Sequence, residues 1–321
     1  MFPSYLNLFK TGELKKRVDA SLKMLHECRA CPRNCGIDRL AGKTGFCKSG
    51  RQLIVSSYTA HHGEEPPISG SLGSGTVFFT NCNLRCIFCQ NYQISQLGEG
   101  ESCTAEELAD MMLKLQSLRC HNINWVSPSH FVPQILEGLL IAAEKGLHIP
   151  IVYNSNGYDS FETLKLLDGI VDIYLPDLKY MDDKNANECS GVSDYAKFNL
   201  PAIKEMHRQV GNLALDEHGV AIRGMIVRHL VLPENMSNTF AALDFLSKEI
   251  SPEIHISLMS QYHPCHKAEA HPVLNRKLAK EEYARAVKYA ESLGLDNCFI
   301  QAMYSSDVYL PDFKRKKPFE K

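Results

Sequence analysis

Long apolar runs and the features of a secretion signal are missing from this sequence. No apolar run reaches the length of a membrane-spanning helix. The amino-terminal segment lacks the basic stretch, the apolar core and the small-residue cleavage site of a signal peptide. A surplus of one charge is missing too, since 35 basic and 37 acidic residues leave a formal net charge of −2. We therefore expect a cytoplasmic protein that binds neither membranes nor nucleic acid.

The composition is that of a globular protein. Hydrophobic residues make up 44% of the 321 residues, which is enough for a sizeable core. No low-complexity segment or internal repeat interrupts the chain. Two average domains would fit this length, but α/β barrels of this size form around one core, so one large domain is the simplest interpretation.

Cysteine is abundant, with 12 residues. A cytoplasmic chain of this length needs no disulfides, so metal or redox chemistry explains the cysteines better. Seven of them fall into two short runs, which are Cys28, Cys31, Cys35 and Cys47, and then Cys82, Cys86 and Cys89. The others, Cys103, Cys120, Cys189, Cys265 and Cys298, are scattered and are interpreted as ordinary thiols.

Strands and helices are predicted to alternate from Thr76 to Ala302. About seven strands joined by helices predict a parallel sheet of the α/β class, closed into an open or partial (β/α) barrel. Residues 28–70 carry glycines, prolines and little apolar periodicity. We expect residues 1–70 to form a small N-terminal cysteine-rich metal lobe, residues 71–310 the partial barrel, and residues 311–321 a basic tail.

Polar residues follow nearly every predicted strand. In α/β barrels the carboxyl ends of the strands meet at one mouth, where the chemistry takes place. The candidates are Ser127, Ser129, His130, Asn154, Asn156, Asp177, Lys179 and His263. Taken singly, each could be a turn or capping residue, and Asp177 and Lys179 could simply pair with each other.

The second cysteine run, C-x3-C-x2-C, follows the first predicted barrel strand directly. Three thiolates at this spacing suit iron–sulfur ligation. Because a fourth cysteine is missing, one iron would remain open to an external ligand, which indicates catalysis. The alternatives are a zinc site that borrows a histidine, or three unrelated thiols.

The first run, C-x2-C-x3-C-x11-C, provides four thiols, which would close a tetrahedral site. Zinc and an iron–sulfur cluster both fit this spacing. Neighbouring Arg29, Arg33 and Arg39 slightly favour a net-negative cluster.

The C-x3-C-x2-C loop, with Phe88 before its last cysteine, resembles that of the radical S-adenosylmethionine superfamily. Residues 64–95 and 28–39 look like those of pyruvate formate-lyase activating enzyme homologues, the PflX-like group. The resemblance implies that Cys82, Cys86 and Cys89 hold a [4Fe–4S] cluster and that S-adenosylmethionine chelates its fourth iron.

The same resemblance implies further contacts with S-adenosylmethionine. Phe88 would lie beside the adenine. Ser127, Ser129 and His130 stand where related enzymes carry a Gly-Gly-Glu motif for the methionyl amine. Asn154, Asn156, Asp177, Lys179 and His263 match polar elements that meet the ribose, the methionyl end or the nucleoside.

The implied activity is reductive cleavage of S-adenosylmethionine to a 5′-deoxyadenosyl radical that abstracts hydrogen. It implies an electron donor such as flavodoxin or ferredoxin, and a glycyl radical enzyme or another protein as substrate. A radical enzyme acting on a small molecule is one alternative. A non-catalytic iron–sulfur or zinc protein for electron transfer or assembly is another.

Overall fold

A computed structural model describes residues 2–303, 305, 311–313, 315, 318 and 319. The strands are β1 Leu53–His61, β2 Ser74–Phe79, β3 Glu101–Cys103, β4 Ile123–Val126, β5 Ile151–Ser155, β6 Ile173–Pro176, β7 Ala214–Leu215, β8 Ala221–Leu230, β9 His255–Met259 and β10 Cys298–Ile300. The α-helices are α1 Tyr5–Lys10, α2 Glu13–Lys23, α3 Pro66–Ser69, α4 Tyr92–Ser95, α5 Ala105–Ser117, α6 Val132–Glu144, α7 Phe161–Leu167, α8 Asp183–Ser190, α9 Tyr195–Val210, α10 Thr239–Phe245 and α11 Lys280–Ser292.

Seven of these strands run parallel to their neighbours in the order β2-β4-β5-β6-β8-β9-β10. Helices connect successive members, since parallel strands require crossovers. β1 pairs antiparallel with β2, and β3 pairs antiparallel with β1. The sheet path ends at β3 and β10, so no described strand closes it. The predicted partial (β/α) barrel is confirmed.

Side chains of the parallel strands alternate between two environments. Tyr153 and Tyr174 belong to the main apolar core, which also contains residues of the helices. Val152 and Leu175, one position away from them, belong to a separate interior cluster. Two residues further along these strands on the same face come Asn154 and Asp177, which line a cavity. The barrel interior is therefore apolar at its amino-terminal end and polar near its mouth.

Local sequence signals explain several element ends. Thr104 caps α5, with its hydroxyl accepting from the Glu107 N–H at 3.1 Å while the Glu107 carboxylate accepts from the Thr104 N–H at 2.8 Å. One of the helices expected in the alternating pattern is α10, which continues into a π-helical turn, Leu246–Ile250. These helices confirm the expected pattern.

The expected lobe of residues 1–70 differs from the structure at its carboxyl end. Residues 53–61 form β1 and join the main sheet by pairing with β2. The centre of β1, Ser56 to Thr59, is only partly buried and lacks apolar alternation, which hides the strand signal. Lys314, Lys316 and Lys317 of the expected basic tail lie outside the described residues.

The segment between β1 and β2 turns into the barrel. We call residues 62–70 the floor segment. Ile68 is fully buried in the interior cluster with Val152 and Leu175, and its carbonyl accepts from Asn122 Nδ2 at 2.8 Å. The floor segment therefore fills the amino-terminal end of the barrel. Among the described residues, no helix has the length and apolar character needed to cross a membrane.

Candidate active site

A cavity of about 1210 Å³ opens at the mouth of the barrel. Cys82, Cys86 and Cys89 line one side of it, and the floor segment lines its lower end. The volume exceeds the roughly 300–1,000 Å³ of a common small-molecule pocket, so it has room for a cofactor and a substrate together.

The three thiols lie on the loop that follows β2. This loop packs against α8, where the Arg85 and Ile87 N–H groups donate to the carbonyls of Ser190 and Cys189 at 3.1 and 2.8 Å. Cys82 and Cys86 are 8% exposed. The loop therefore presents its thiols to the cavity while bulk solvent is largely excluded.

One polar side chain reaches each thiol. Asn156 Nδ2 lies 3.2 Å from Cys82 Sγ, and Ser190 Oγ lies 3.0 Å from Cys86 Sγ. Ser95 Oγ lies 3.2 Å from Cys89 Sγ. Sequence reasoning missed Ser95 and Ser190, because only the folded loop brings them to the cysteines. Hydrogen bonds to ligand sulfurs tune the reduction potential of a cluster.

Burial controls the acidity of these thiols. It raises the pKa of Cys82 to about 11, with nearby Cys86 adding to the effect. Burial also raises the pKa of Cys89, to about 12, and the pKa of Cys86. A buried thiolate is costly without a positive partner, so a metal centre is the natural counter-charge.

Asp177 and Lys179 form an ion pair at the end of β6. Lys179 Nζ lies 2.5 Å from Asp177 Oδ2, and both side chains are less than one-fifth exposed. Burial works against the charge of Lys179, but Asp177 holds the pKa of the lysine above its usual value. Both groups line the cavity, so they are available to a zwitterionic ligand as well as to each other.

Two buried side chains of α9 tie the ends of β5 and β6 together. The Tyr195 hydroxyl bonds to the Asn156 carbonyl at 2.8 Å and accepts from the Lys179 N–H at 3.1 Å. Asn199 Nδ2 donates to the carbonyls of Gly157 and Asp177 at 3.0 Å each. These bonds hold Asn156, Asp177 and Lys179 on one rim.

A second set of charges lies below this rim. Arg228 of β8 donates to Asn154 Oδ1 at 3.3 Å, and it lies 3.9 Å from Glu64 Oε2 and 3.4 Å from Glu65 Oε1. Burial opposes the charge of Arg228, but Glu65, Asp177 and Glu64 hold its pKa above the usual value. The role of Glu64 and Glu65 was missed from the sequence. The only signal was two adjacent carboxylates before Pro66 and Pro67.

The other predicted residues divide into two groups. Phe88 and Ser127 line the cavity, and Phe88 packs edge-to-face on Tyr262 with ring centroids 5.9 Å apart. Ser129, His130 and His263 lie outside the cavity wall. His130 faces the amino-terminal lobe instead, and burial lowers its pKa to about 3.

The four amino-terminal cysteines line one small pocket of about 10 Å³. Arg39 also lines it and is fully buried. Its Nη1 donates to the His130 carbonyl at 2.7 Å and lies 3.8 Å from Cys28 Sγ, while its Nη2 has no partner among the described residues. A buried guanidinium without a carboxylate needs another negative group, and the thiolates of a metal site would provide it.

The three thiols of the barrel loop suit iron–sulfur ligation. Within the described part of the chain, no three His, Cys, Asp or Glu side chains converge on one metal ion. Each cysteine of a cluster binds a different iron, so Cys82, Cys86 and Cys89 need not meet at one point. The soft donors, their burial and the adjoining cavity therefore fit a cluster with an open iron.

Comparisons with known proteins agree with this geometry. The profile of the Radical SAM superfamily matches residues 76–246. The uncharacterized protein MJ0674 of Methanocaldococcus jannaschii is 32% identical over 298 residues, covering 91% of this chain and 82% of that protein. The pyruvate formate-lyase-activating enzyme of Clostridium pasteurianum is 30% identical over 112 residues, covering 33% of this chain and 46% of that enzyme.

Solved structures are similar at lower identity. SuiB of Streptococcus suis, bound to the precursor peptide SuiA, gives a TM-score of 0.48 at 13% identity, over 73% of this chain and 50% of SuiB. The FeFe-hydrogenase maturase HydG of Carboxydothermus hydrogenoformans gives 0.42 at 12% identity, over 71% of this chain and 53% of HydG. The chain thus spans about half the length of these solved proteins. The profile match over more than half of the sequence and the relative at 32% identity establish that the chain belongs to the radical S-adenosylmethionine superfamily.

Proposed function

We propose that this radical S-adenosylmethionine enzyme binds its [4Fe–4S] cluster through Cys82, Cys86 and Cys89 and abstracts a hydrogen atom from a substrate held in the barrel cavity. The observation that carries the proposal is that three thiols and the Asp177–Lys179 pair face one cavity. When bound, the cluster and S-adenosylmethionine together supply reductive cleavage to a 5′-deoxyadenosyl radical.

The chain's own residues orient the ligand. Lys179 is placed to neutralise a carboxylate, and Asp177 is placed to accept from an ammonium or from ribose hydroxyls. Asn156 holds Cys82 through its amide, and Phe88 offers an aromatic surface for the adenine. The buried loop limits access of water to the reacting atoms.

The reaction partners form a finer part of the proposal. An electron donor such as flavodoxin or ferredoxin would supply the electron. Activation of a glycyl radical enzyme is supported by the 112-residue likeness to the activating enzyme of Clostridium pasteurianum. A cavity with polar groups at two levels counts against a purely electron-carrying role, which needs no such space.

The amino-terminal lobe is proposed to hold a second metal centre, either zinc or an iron–sulfur cluster. Its support is the shared pocket of Cys28, Cys31, Cys35 and Cys47 beside buried Arg39. Burial raises the pKa of Cys31, and nearby Cys47 adds to the effect, as expected for thiols that share one pocket. A closed four-thiolate site would be structural or would transfer electrons.

Formation of 5′-deoxyadenosine tests the proposed function. We expect anaerobic protein with rebuilt clusters to release 5′-deoxyadenosine slowly from S-adenosylmethionine and reductant, without added substrate. Replacing Cys82, Cys86 or Cys89 with Ala abolishes this product, whereas the matched control Cys120→Ser retains it. Absence of product from the unaltered protein, with its cluster verified by iron analysis and absorbance, would refute the catalytic assignment.

A further inference from the structure

Two adjacent carboxylates enter the cavity from the floor segment. The side chains of Glu64 and Glu65 are 9% and 7% exposed, and both line the cavity. Pro66 and Pro67 follow them, and the Ser69 hydroxyl bonds to the N–H and the carbonyl of Glu64 at 3.1 and 3.2 Å. The two carboxylates are therefore held in place by a rigid backbone rather than by a mobile loop.

The charges of the side chains that line the cavity do not balance. Of the described residues that line the cavity, the carboxylates are Glu64, Glu65 and Asp177, and the permanent cations are Lys179 and Arg228. Lys179 pairs with Asp177 at 2.5 Å. Arg228 lies 3.9 Å from Glu64, 3.4 Å from Glu65 and 3.7 Å from the second oxygen of Asp177. Burial, with a contribution from Glu65, raises the pKa of Glu64 to about 7, although Arg228 acts in the opposite direction. Three carboxylates therefore share two permanent cations, and a further cation at the floor would favour the ionised form of Glu64.

Hydrogen-bonding capacity is unused at the same place. Glu65 Oε2, Asp177 Oδ1 and Arg228 Nε have no hydrogen-bond partner among the described residues. Leaving buried polar atoms without partners is costly. Arg228 Nε lies 3.4 Å from Glu65 Oε1 and 3.7 Å from Asp177 Oδ1, so it already faces carboxylates. Because Glu65 and Asp177 border the cavity, a hydrogen-bond donor on a ligand could supply the bonds that Glu65 Oε2 and Asp177 Oδ1 lack.

The floor carboxylates lie one side-chain layer below the thiols. Asn156, the residue after β5, reaches Cys82 Sγ at 3.2 Å. Asn154, two positions earlier on the same face of the strand, reaches Glu64 Oε2 at 3.5 Å. Two strand residues rise about 7 Å, so the two levels are separated by roughly that distance. A ligand anchored at the floor would extend towards the thiol level without occupying it.

We propose that Glu64 and Glu65 bind a cationic group of the substrate, a protonated amine or a guanidinium, and so anchor it below the hydrogen-abstraction level. This inference rests on the proposed function, because it names the substrate class of the same cavity. The ammonium of S-adenosylmethionine has the same chemistry as a substrate amine, but the thiol level and the Asp177–Lys179 pair lie above the floor. The carboxylates of the floor are thus left for a second cation.

Three four-carbon probes of different charge test this proposal at pH 7.5: n-butylamine, n-butanol and butyrate. Their binding to anaerobic, cluster-containing protein is followed by saturation-transfer NMR, with S-adenosylmethionine at saturation. We expect n-butylamine to bind and the neutral and anionic probes to bind at least tenfold more weakly. Glu65→Gln should weaken the binding of n-butylamine at least tenfold, because it removes one of the two carboxylates that attract the ammonium. The exposed control Glu291→Gln should leave amine binding unchanged.

Equal binding of n-butanol and n-butylamine would overturn the proposal, and this comparison needs no variant to fold. Competition between n-butylamine and S-adenosylmethionine, or a loss of S-adenosylmethionine affinity in Glu65→Gln equal to the loss for the amine, would assign the carboxylates to the cofactor and also overturn it. Failure of the proposed function would show differently. Unaltered protein would then yield no 5′-deoxyadenosine, whatever the outcome of the charge series.

Discussion

The ion pair of Asp177 and Lys179 has two possible duties, and single substitutions separate them. Neither side chain belongs to the proposed cluster ligands, but both line the cavity. We expect Asp177→Asn and Lys179→Met each to weaken S-adenosylmethionine binding about 10- to 100-fold, since hydrogen bonds to charged groups contribute about 1.5–3 kcal/mol. Iron content should stay at the unaltered level. Equilibrium binding and iron analysis on the same samples check this.

A purely structural pair would behave differently. Removing one partner of a buried ion pair destabilises the fold, because the other charge remains without compensation. If the variants lose iron and thermal stability in step with binding, the pair supports the loop rather than the ligand. The double variant Asp177→Asn/Lys179→Met is the control, since it removes both charges together.

Glu64 predicts a pH dependence of stability. Burial is the main reason that its pKa is raised from 4.5 to about 7. Between pH 4.5 and 7 the folded protein then binds more protons at this site than the unfolded chain does, so the free energy of unfolding falls as pH rises. Glu64→Gln should reduce this fall and stabilise the protein at pH 8 by about 1–3 kcal/mol. Denaturant unfolding at pH 5 and pH 8 measures the difference.

The exposed residue Glu106 provides the comparison for this measurement. Glu106→Gln should leave the pH dependence of unfolding unchanged, because this side chain is exposed in the folded protein. Burial also raises the pKa values of Asp159 and Asp172. Their contribution to the pH dependence of unfolding is common to the unaltered protein and both variants. If the free energy of unfolding changes with pH equally in Glu64→Gln and in the unaltered protein, Glu64 is not the source of the pH dependence.

At the scale of elements, the close approach of β5 and β6 depends on Gly157. Its φ is +74°, and an added Cβ would lie 2.1 Å from both Asn199 Nδ2 and the Asp177 carbonyl. Gly157→Ala should therefore push the two strand ends apart and weaken S-adenosylmethionine binding. It should also lower the free energy of unfolding by more than the roughly 1 kcal/mol that a positive φ alone costs. Binding and thermal unfolding measure both effects.

Gly146 separates backbone strain from steric contact. It also has a positive φ, +97°, but an added Cβ would meet nothing within 4 Å. Gly146→Ala should lower the free energy of unfolding only by the cost of the positive φ, and it should leave S-adenosylmethionine binding unchanged. Equal losses in the two variants would mean that the contact with Asn199 and Asp177 does not matter.

The elements themselves were largely predictable. Capping residues and apolar periodicity are local signals, and the alternation of about seven strands with helices is what the structure has. β1 was missed because its polar, partly exposed centre lacks the apolar run of a buried strand. The parallel sheet followed from the alternation of helices and strands.

At the scale of the whole molecule, the site was predictable only where its residues lie close together in the sequence. Cys82, Cys86 and Cys89 share one loop, so their spacing carried the prediction. Glu64 meets Arg228 across the barrel, and no local pattern connects residues so far apart in the chain. The buried link from Arg39 to the His130 carbonyl is equally invisible to sequence periodicity.

The two cysteine runs are predicted to hold their metals independently. Cys82, Cys86 and Cys89 face the barrel cavity, whereas Cys28, Cys31, Cys35 and Cys47 line a separate pocket. Replacing the first set with Ala should abolish S-adenosylmethionine cleavage and leave the metal of the lobe. Replacing the second set should remove one metal centre while slow cleavage survives, although stability falls because structural metal sites contribute folding energy. Metal analysis and 5′-deoxyadenosine assays on both variants decide the matter. Full metal content in the variant without Cys28, Cys31, Cys35 and Cys47 would show that the lobe binds no metal, and Arg39 would then need another counter-charge.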